Sequence, residues 1–79
     1  MLRRLISETE MTSRGLRVRL DPTALQRACA EQGFSFARLA MSARLSRPTV
    51  SLAAHGDSIT PRSAFKIADA LSRGMHKSI

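Results

Sequence analysis

Arginine dominates the chemistry available to this chain. Between Gln32 and Gly56 stand Arg38, Arg44 and Arg47 with no acid among them, interleaved with Ser42, Ser46, Thr49, Ser51 and the helix-compatible His55. A guanidinium stays charged at any physiological pH. Its planar fork can hold guanine O6 and N7 with two hydrogen bonds. Other chemistries lack their parts. Ser42, Ser46 and Ser51 have no base at a fixed spacing and acids are scarce, so a serine nucleophile is not expected. No glycine-rich phosphate loop exists. One Cys and two widely spaced His cannot complete a zinc site, and a lone Cys29 makes no internal disulfide. Cys29 reads as a small core residue. No enzyme, no metal, no cofactor and no small-molecule ligand are expected.

The elements that must position these arginines fit in 79 residues, one small domain burying roughly 60% of its unfolded surface. A hydrophobic fraction of 43% suffices for a modest core, and with three Phe and no Trp or Tyr that core is Ala, Leu, Ile and Val. No apolar run approaches a membrane span, and Met1–Ile6 has Arg3 and Arg4 without the apolar stretch of a signal peptide. The expectation is a cytoplasmic protein away from membranes. Eleven Arg and two Lys against three Asp and three Glu give a net charge of +7, which points to a polyanionic partner, nucleic acid first. The bland alternative is a soluble protein that is merely basic.

Along the chain, a basic arm (1–20) precedes a helical block (21–74) and a frayed tail (75–79). The polar run from Glu8 to Gly15 reads as a loop. Leu16-Arg17-Val18-Arg19-Leu20 alternates with period two, the pattern of a half-buried strand. Such a strand needs a partner: Leu2–Ile6 in a hairpin, or the same strand of a second subunit, with Leu16, Val18 and Leu20 making the dimer. Asp21-Pro22 opens a first helix ending at Gly33. Ser35 caps a second carrying Phe36, Leu39, Ala40 and Ala43. Ser46 caps a third, with Arg47 and Pro48 in its first turn. Gly56-Asp57-Ser58 is a turn. Thr60-Pro61 opens a fourth, striped by Ala64, Phe65, Ile67, Ala68 and Leu71 and stopped by Gly74. The methionines form no stripe; Met41 reads as packing, and Met11 is an alternative start.

Two short helices joined by Ala43-Arg44-Leu45-Ser46, closing on Leu39, Ala43, Leu45 and Val50, make a helix-turn-helix. Arg47, Thr49, Ser51, Leu52 and His55 are left for the outer face of its second helix. The run Leu39-Ala40-x-x-Ala43-x-Leu45-Ser46-Arg47-Pro48-Thr49-Val50-Ser51, then Gly56, resembles the phage repressor and Cro-like (Xre) family. Leu25–Phe34 resembles that family's first helix and Ile59–Leu71 its fourth, so the likeness covers residues 21–73. The fold it implies is all-α: a lambda-repressor-like four-helix domain, here behind an extended, β-prone arm.

Carried over by position, the resemblance puts base reading on Arg47, Pro48, Thr49, Ser51 and Leu52. Thr49 and Leu52 are candidates for a thymine methyl. Ser46 would aim the amides of the third helix at a phosphate. His55 and Arg62 would lie on the backbone. Two positions depart from the family. Arg44 stands where the turn usually has Gly, so either the turn is reshaped or Arg44 takes a left-handed conformation and reaches phosphate. Phe36 stands where Gln usually clamps phosphate and reads as a core residue, with Arg38 a substitute clamp.

The expected function is a sequence-specific, DNA-binding transcriptional repressor. It would act as a homodimer on a palindromic operator, as small self-repressing regulators of phages and mobile elements do. Two alternatives come from other classes. In one, an antitoxin-like interaction module docks its arm on a partner protein. In the other, a ribbon-helix-helix protein reads bases through residues 16–20, with Arg17 and Arg19 in the groove.

Overall fold

The computed structural model describes residues 2–75. In chain order the elements are α1 (Leu2–Leu5), β1 (Ile6–Thr12), β2 (Gly15–Leu20), α2 (Pro22–Gln32), α3 (Phe36–Ala43), α4 (Arg47–Ala54), β3 (Ser58–Ile59) and α5 (Pro61–Met75). No helix among the described residues is long and apolar enough to cross a membrane.

Local chemistry sets the helix starts. Asp21 accepts hydrogen bonds from the amides of Thr23 and Ala24, at 3.0 and 3.5 Å, with Pro22 at the first helical position. Ser35 accepts from the Arg38 amide at 3.1 Å, and Thr60 from the Ser63 amide at 3.2 Å. Gly33 closes α2 in the left-handed region. Gly74, expected as a stop, lies inside α5, because a single glycine weakens a helix without ending it. The tail expected to fray lies outside the described residues from residue 76 onward.

The all-α expectation is overturned. Among the described residues, five helical segments, α1 being a single turn, pack with a three-stranded antiparallel sheet of order β1-β2-β3, so the fold is mixed α and β. The polar run read as a loop is mostly strand. Thr9 lies opposite Val18 and Met11 opposite Leu16, and only Ser13 and Arg14 make the turn. A bulge at Ser7 breaks the register between Ile6 and Glu8. β1 is an edge strand with no fully buried residue, so it carries polar residues on both faces. Of Leu2–Ile6, offered as the hairpin partner, Leu2–Leu5 is helical and Ile6 opens β1, opposite Leu20.

The arm is not separate from the helical block. Leu5, Val18, Leu20 and Ile59 share one core with Leu25, Leu39, Val50, Ile67 and Leu71. This also corrects the strand-mediated dimer. β2 is the central strand, paired with β1 along its length and with β3 at Val18 and Arg19, so it is not the unpaired strand from which the dimer was argued. Val18 and Leu20 are buried in their own chain; of the three residues assigned to a dimer, only Leu16 is exposed.

Two more side chains stand elsewhere than expected. Met41 is 80% exposed and packs on nothing in the core, and Phe65 is 62% exposed, outside the α5 stripe. Ala64, Ile67, Ala68 and Leu71 fill that stripe without it. Cys29 is buried, and desolvation pushes its thiol pKa up, away from the reactive thiolate.

Candidate nucleic-acid interface

α3 and α4 are joined by the three residues Arg44, Leu45 and Ser46 and pack on each other. Ala40 is buried where α4 crosses, and Leu39, Ala43, Val50 and Ala53 close the contact. Arg44 resolves the first departure: it is left-handed, at φ 58° and ψ 43°, and is the sole non-glycine residue with positive φ among those described. The turn keeps its shape. Arg44 N donates to Met41 O at 3.2 Å and Leu45 N to Ala40 O at 2.9 Å, satisfying the last carbonyls of α3. Holding a side chain there costs about 1–2 kcal/mol.

Ser46 caps α4. Its hydroxyl lies 2.8 Å from the Thr49 hydroxyl and accepts from the Thr49 amide at 3.4 Å. Thr49 is thereby engaged and half-buried at the edge of the helix. Val50 and Ala53 point inward, and Arg47, Pro48, Ser51, Leu52 and His55 stand exposed. His55 closes the helix. Its Nδ1 lies 2.6 Å from Ser51 O, a carbonyl that can only accept, so Nδ1–H donates.

Phe36 is the second departure, and here the core expectation fails. At the first position of α3 it is 36% exposed and walls a cleft of 510 Å³. The cleft is lined by Gln26 of α2, Phe36 and Ala37 of α3, and Arg47, Pro48, Ser51, Ala54 and His55 at the α4 end. It therefore gathers Arg47, Pro48, Ser51 and His55 from the expected set. Thr49 and Leu52 stand outside its lining, as do Ser46, Arg38, Arg44 and Arg62, which are exposed. Gln26 and Phe36 were missed as site residues. The available signal was Phe36's position, which in the resembled family faces outward, and which its residue type overrode.

Arg47, in the cleft lining, has no ion-pair partner among the described residues. Among the described residues the ion pairs join Arg19 to Glu10 at 3.6 Å and Arg73 to Asp69 at 3.2 Å. Neither involves Arg38, Arg44, Arg47 or Arg62.

Arg17 and Arg19 behave differently. Arg17 Nη2 donates to Ser58 O at 2.9 Å and Arg19 Nη1 to Gly56 O at 3.1 Å. They brace the turn that follows α4. Gly56 in that turn has φ 80°, and a Cβ there would stand 3.2 Å from Pro22 Cγ, so a side chain is both strained and crowded. The base-reading role that the ribbon alternative gives these two arginines requires side chains that are otherwise engaged.

Comparison with protein-family models, curated proteins and solved structures gave no match.

Proposed function

We propose that this chain is a sequence-specific DNA-binding transcriptional regulator that lays α4 in the major groove. The carrying observation is the outward face of α4: Arg47, Pro48, Ser51 and Leu52 are exposed on a helix whose inner face is locked to α3. An eight-residue helix standing out this way has the dimensions of a groove-reading element. The absence of acids between Gln32 and Gly56 supports the approach of a phosphate backbone. Arg47 reads guanine; Ser46, Arg38, Arg44, His55 and Arg62 hold the flanking phosphates. One such helix reads only a few base pairs, so two copies acting in the cytoplasm on a palindromic operator supply the specificity, and promoter occlusion is the simplest repression mechanism.

Selection of bound duplexes from a random library, with affinity measured at two salt concentrations, tests this. The expected result is an enriched palindrome with half-sites about 10 bp apart. Arg47→Ala should blur one base position in each half-site and cost about 1–3 kcal/mol there. Binding that enriches no motif and vanishes with salt would defeat the reading, because charge alone would explain it.

One observation favours the interaction-module reading. Met11 and Leu16 lie opposite each other near the hairpin turn and are both exposed, a small apolar patch. Capture of a partner through that patch, lost in Met11→Ser with Leu16→Ser, would support it.

A further inference from the structure

An exposed phenylalanine beside a charged reading helix needs a reason. Phe36 is held in place at both levels. Ser35 caps the helix on which it is the first residue, and Leu39 and Ala40, one turn on, are fixed in the core. Across the cleft stands Pro48, whose ring is fixed by the backbone and needs no hydrogen-bond partner. Ala37 and Ala54 add further methyl surface. The same lining carries the polar side chains of Gln26, Ser51, His55 and Arg47. An apolar interior with a few convergent polar groups is the composition of a site that recognises an apolar feature on a polar ligand.

On duplex DNA that feature is specific. The major-groove edges of the four base pairs present hydrogen-bond donors and acceptors, and the one apolar group among them is the C5-methyl of thymine. Resting on the reading proposed above, we infer that the Phe36–Pro48 cleft receives a thymine methyl, making Phe36 a specificity-determining residue. Arg47 on the rim of the same cleft then grips the neighbouring base. This moves the methyl contact from Thr49, whose hydroxyl is tied to the Ser46 cap and which lies outside the cleft lining, to a residue on the other helix of the motif. The protein thus reads a step composed of thymine and an adjacent guanine through two helices at once. Arg47 in the lining, with no ion-pair partner among the described residues, favours this polyanionic occupant over an apolar peptide.

The test uses the full chain and the operator it selects. Each thymine is replaced singly by deoxyuridine, which removes the methyl and keeps the hydrogen-bonding edge. One position per half-site should weaken binding about fourfold, the worth of one buried methyl group. Phe36→Ala, which removes the contact from both half-sites at once, should weaken the unmodified operator by the square of that factor, about 16-fold, and bind the thymine and uracil versions equally. Phe36→Leu, which keeps an apolar wall, should retain the uracil penalty. An operator whose thymines can all be exchanged for uracil without loss overturns this inference while leaving the proposed function standing. So does a Phe36→Ala variant that keeps the full uracil penalty. Failure to select any duplex overturns both. The uracil scan on the unaltered protein needs no variant to fold.

Discussion

Arginines of the same chain are used in opposite ways on the sheet and around the helix pair. On β2, Arg17 and Arg19 are bound by the protein itself, to the carbonyls of Ser58 and Gly56 and to Glu10. Around α3 and α4, Arg38, Arg44, Arg47 and Arg62 have no ion-pair partner among the described residues. Net charge alone would count both groups as one basic surface. The difference teaches that a cation already satisfied within the chain is structural, whereas one left uncompensated beside a cleft is available to a ligand.

The strongest way to break that comparison is to remove the braced region. Deleting residues 1–19 takes Leu5 and Val18 from the core and leaves the Ser58 and Gly56 carbonyls without their donors. Core truncations of single large side chains already cost about 2–5 kcal/mol, and a domain this small has little to spare. Loss of cooperative thermal unfolding, followed by circular dichroism, is the expected outcome. A truncated chain melting like the full one would show that the arm is dispensable after all.

A smaller effect is expected from Arg17→Ala. The lost charged hydrogen bond should lower stability by about 1–2 kcal/mol in urea titration. Operator affinity, measured where both proteins are fully folded, should change less than in Arg47→Ala. If it fell equally, Arg17 would belong with the second group and the contrast would collapse.

The smallest effect carries two opposite signs. Arg44→Gly relieves the left-handed strain and should raise stability by up to about 1 kcal/mol, part of the gain being offset by the freer unfolded chain. The same change should weaken DNA binding uniformly across sequences and lower the salt slope by about 0.9 per half-site, the signature of one lost phosphate contact. Unchanged binding would assign Arg44 to neither group.

The helices were legible because their boundaries carry local chemistry. Asp21-Pro22, Ser35, Ser46, Thr60-Pro61 and Gly33 act within a few residues, so reading them needs no knowledge of the fold. β2 was legible by its alternation. β1 was not, since Ser7-Glu8-Thr9-Glu10 is polar on both faces of an edge strand, and two-residue β3 is too short for any period. The strand dimer failed for a related reason: without β1 and β3 in view, β2 looks unpaired. At the site, Arg47, Pro48, Ser51 and His55 followed from position on a helix. Phe36, Phe65 and Met41 were assigned inward by residue type, yet smaller neighbours fill the core and leave these three outside.

Among the described residues no strand pairs with the outer edge of β1, the arrangement by which folded chains polymerise strand upon strand. Two copies of β1 pairing antiparallel about a two-fold axis must place residues of like parity opposite one another, so that both copies keep the same sheet face toward their cores. In every well-overlapped register this sets Glu8 or Glu10 against Glu8 or Glu10 of the other copy, where like charges repel. Within one chain the same carboxylates face Arg19 and Arg17 across the ladder. The acids of β1 thus attract inside the molecule and repel between molecules, and the exposed edge resists growth into a fibre.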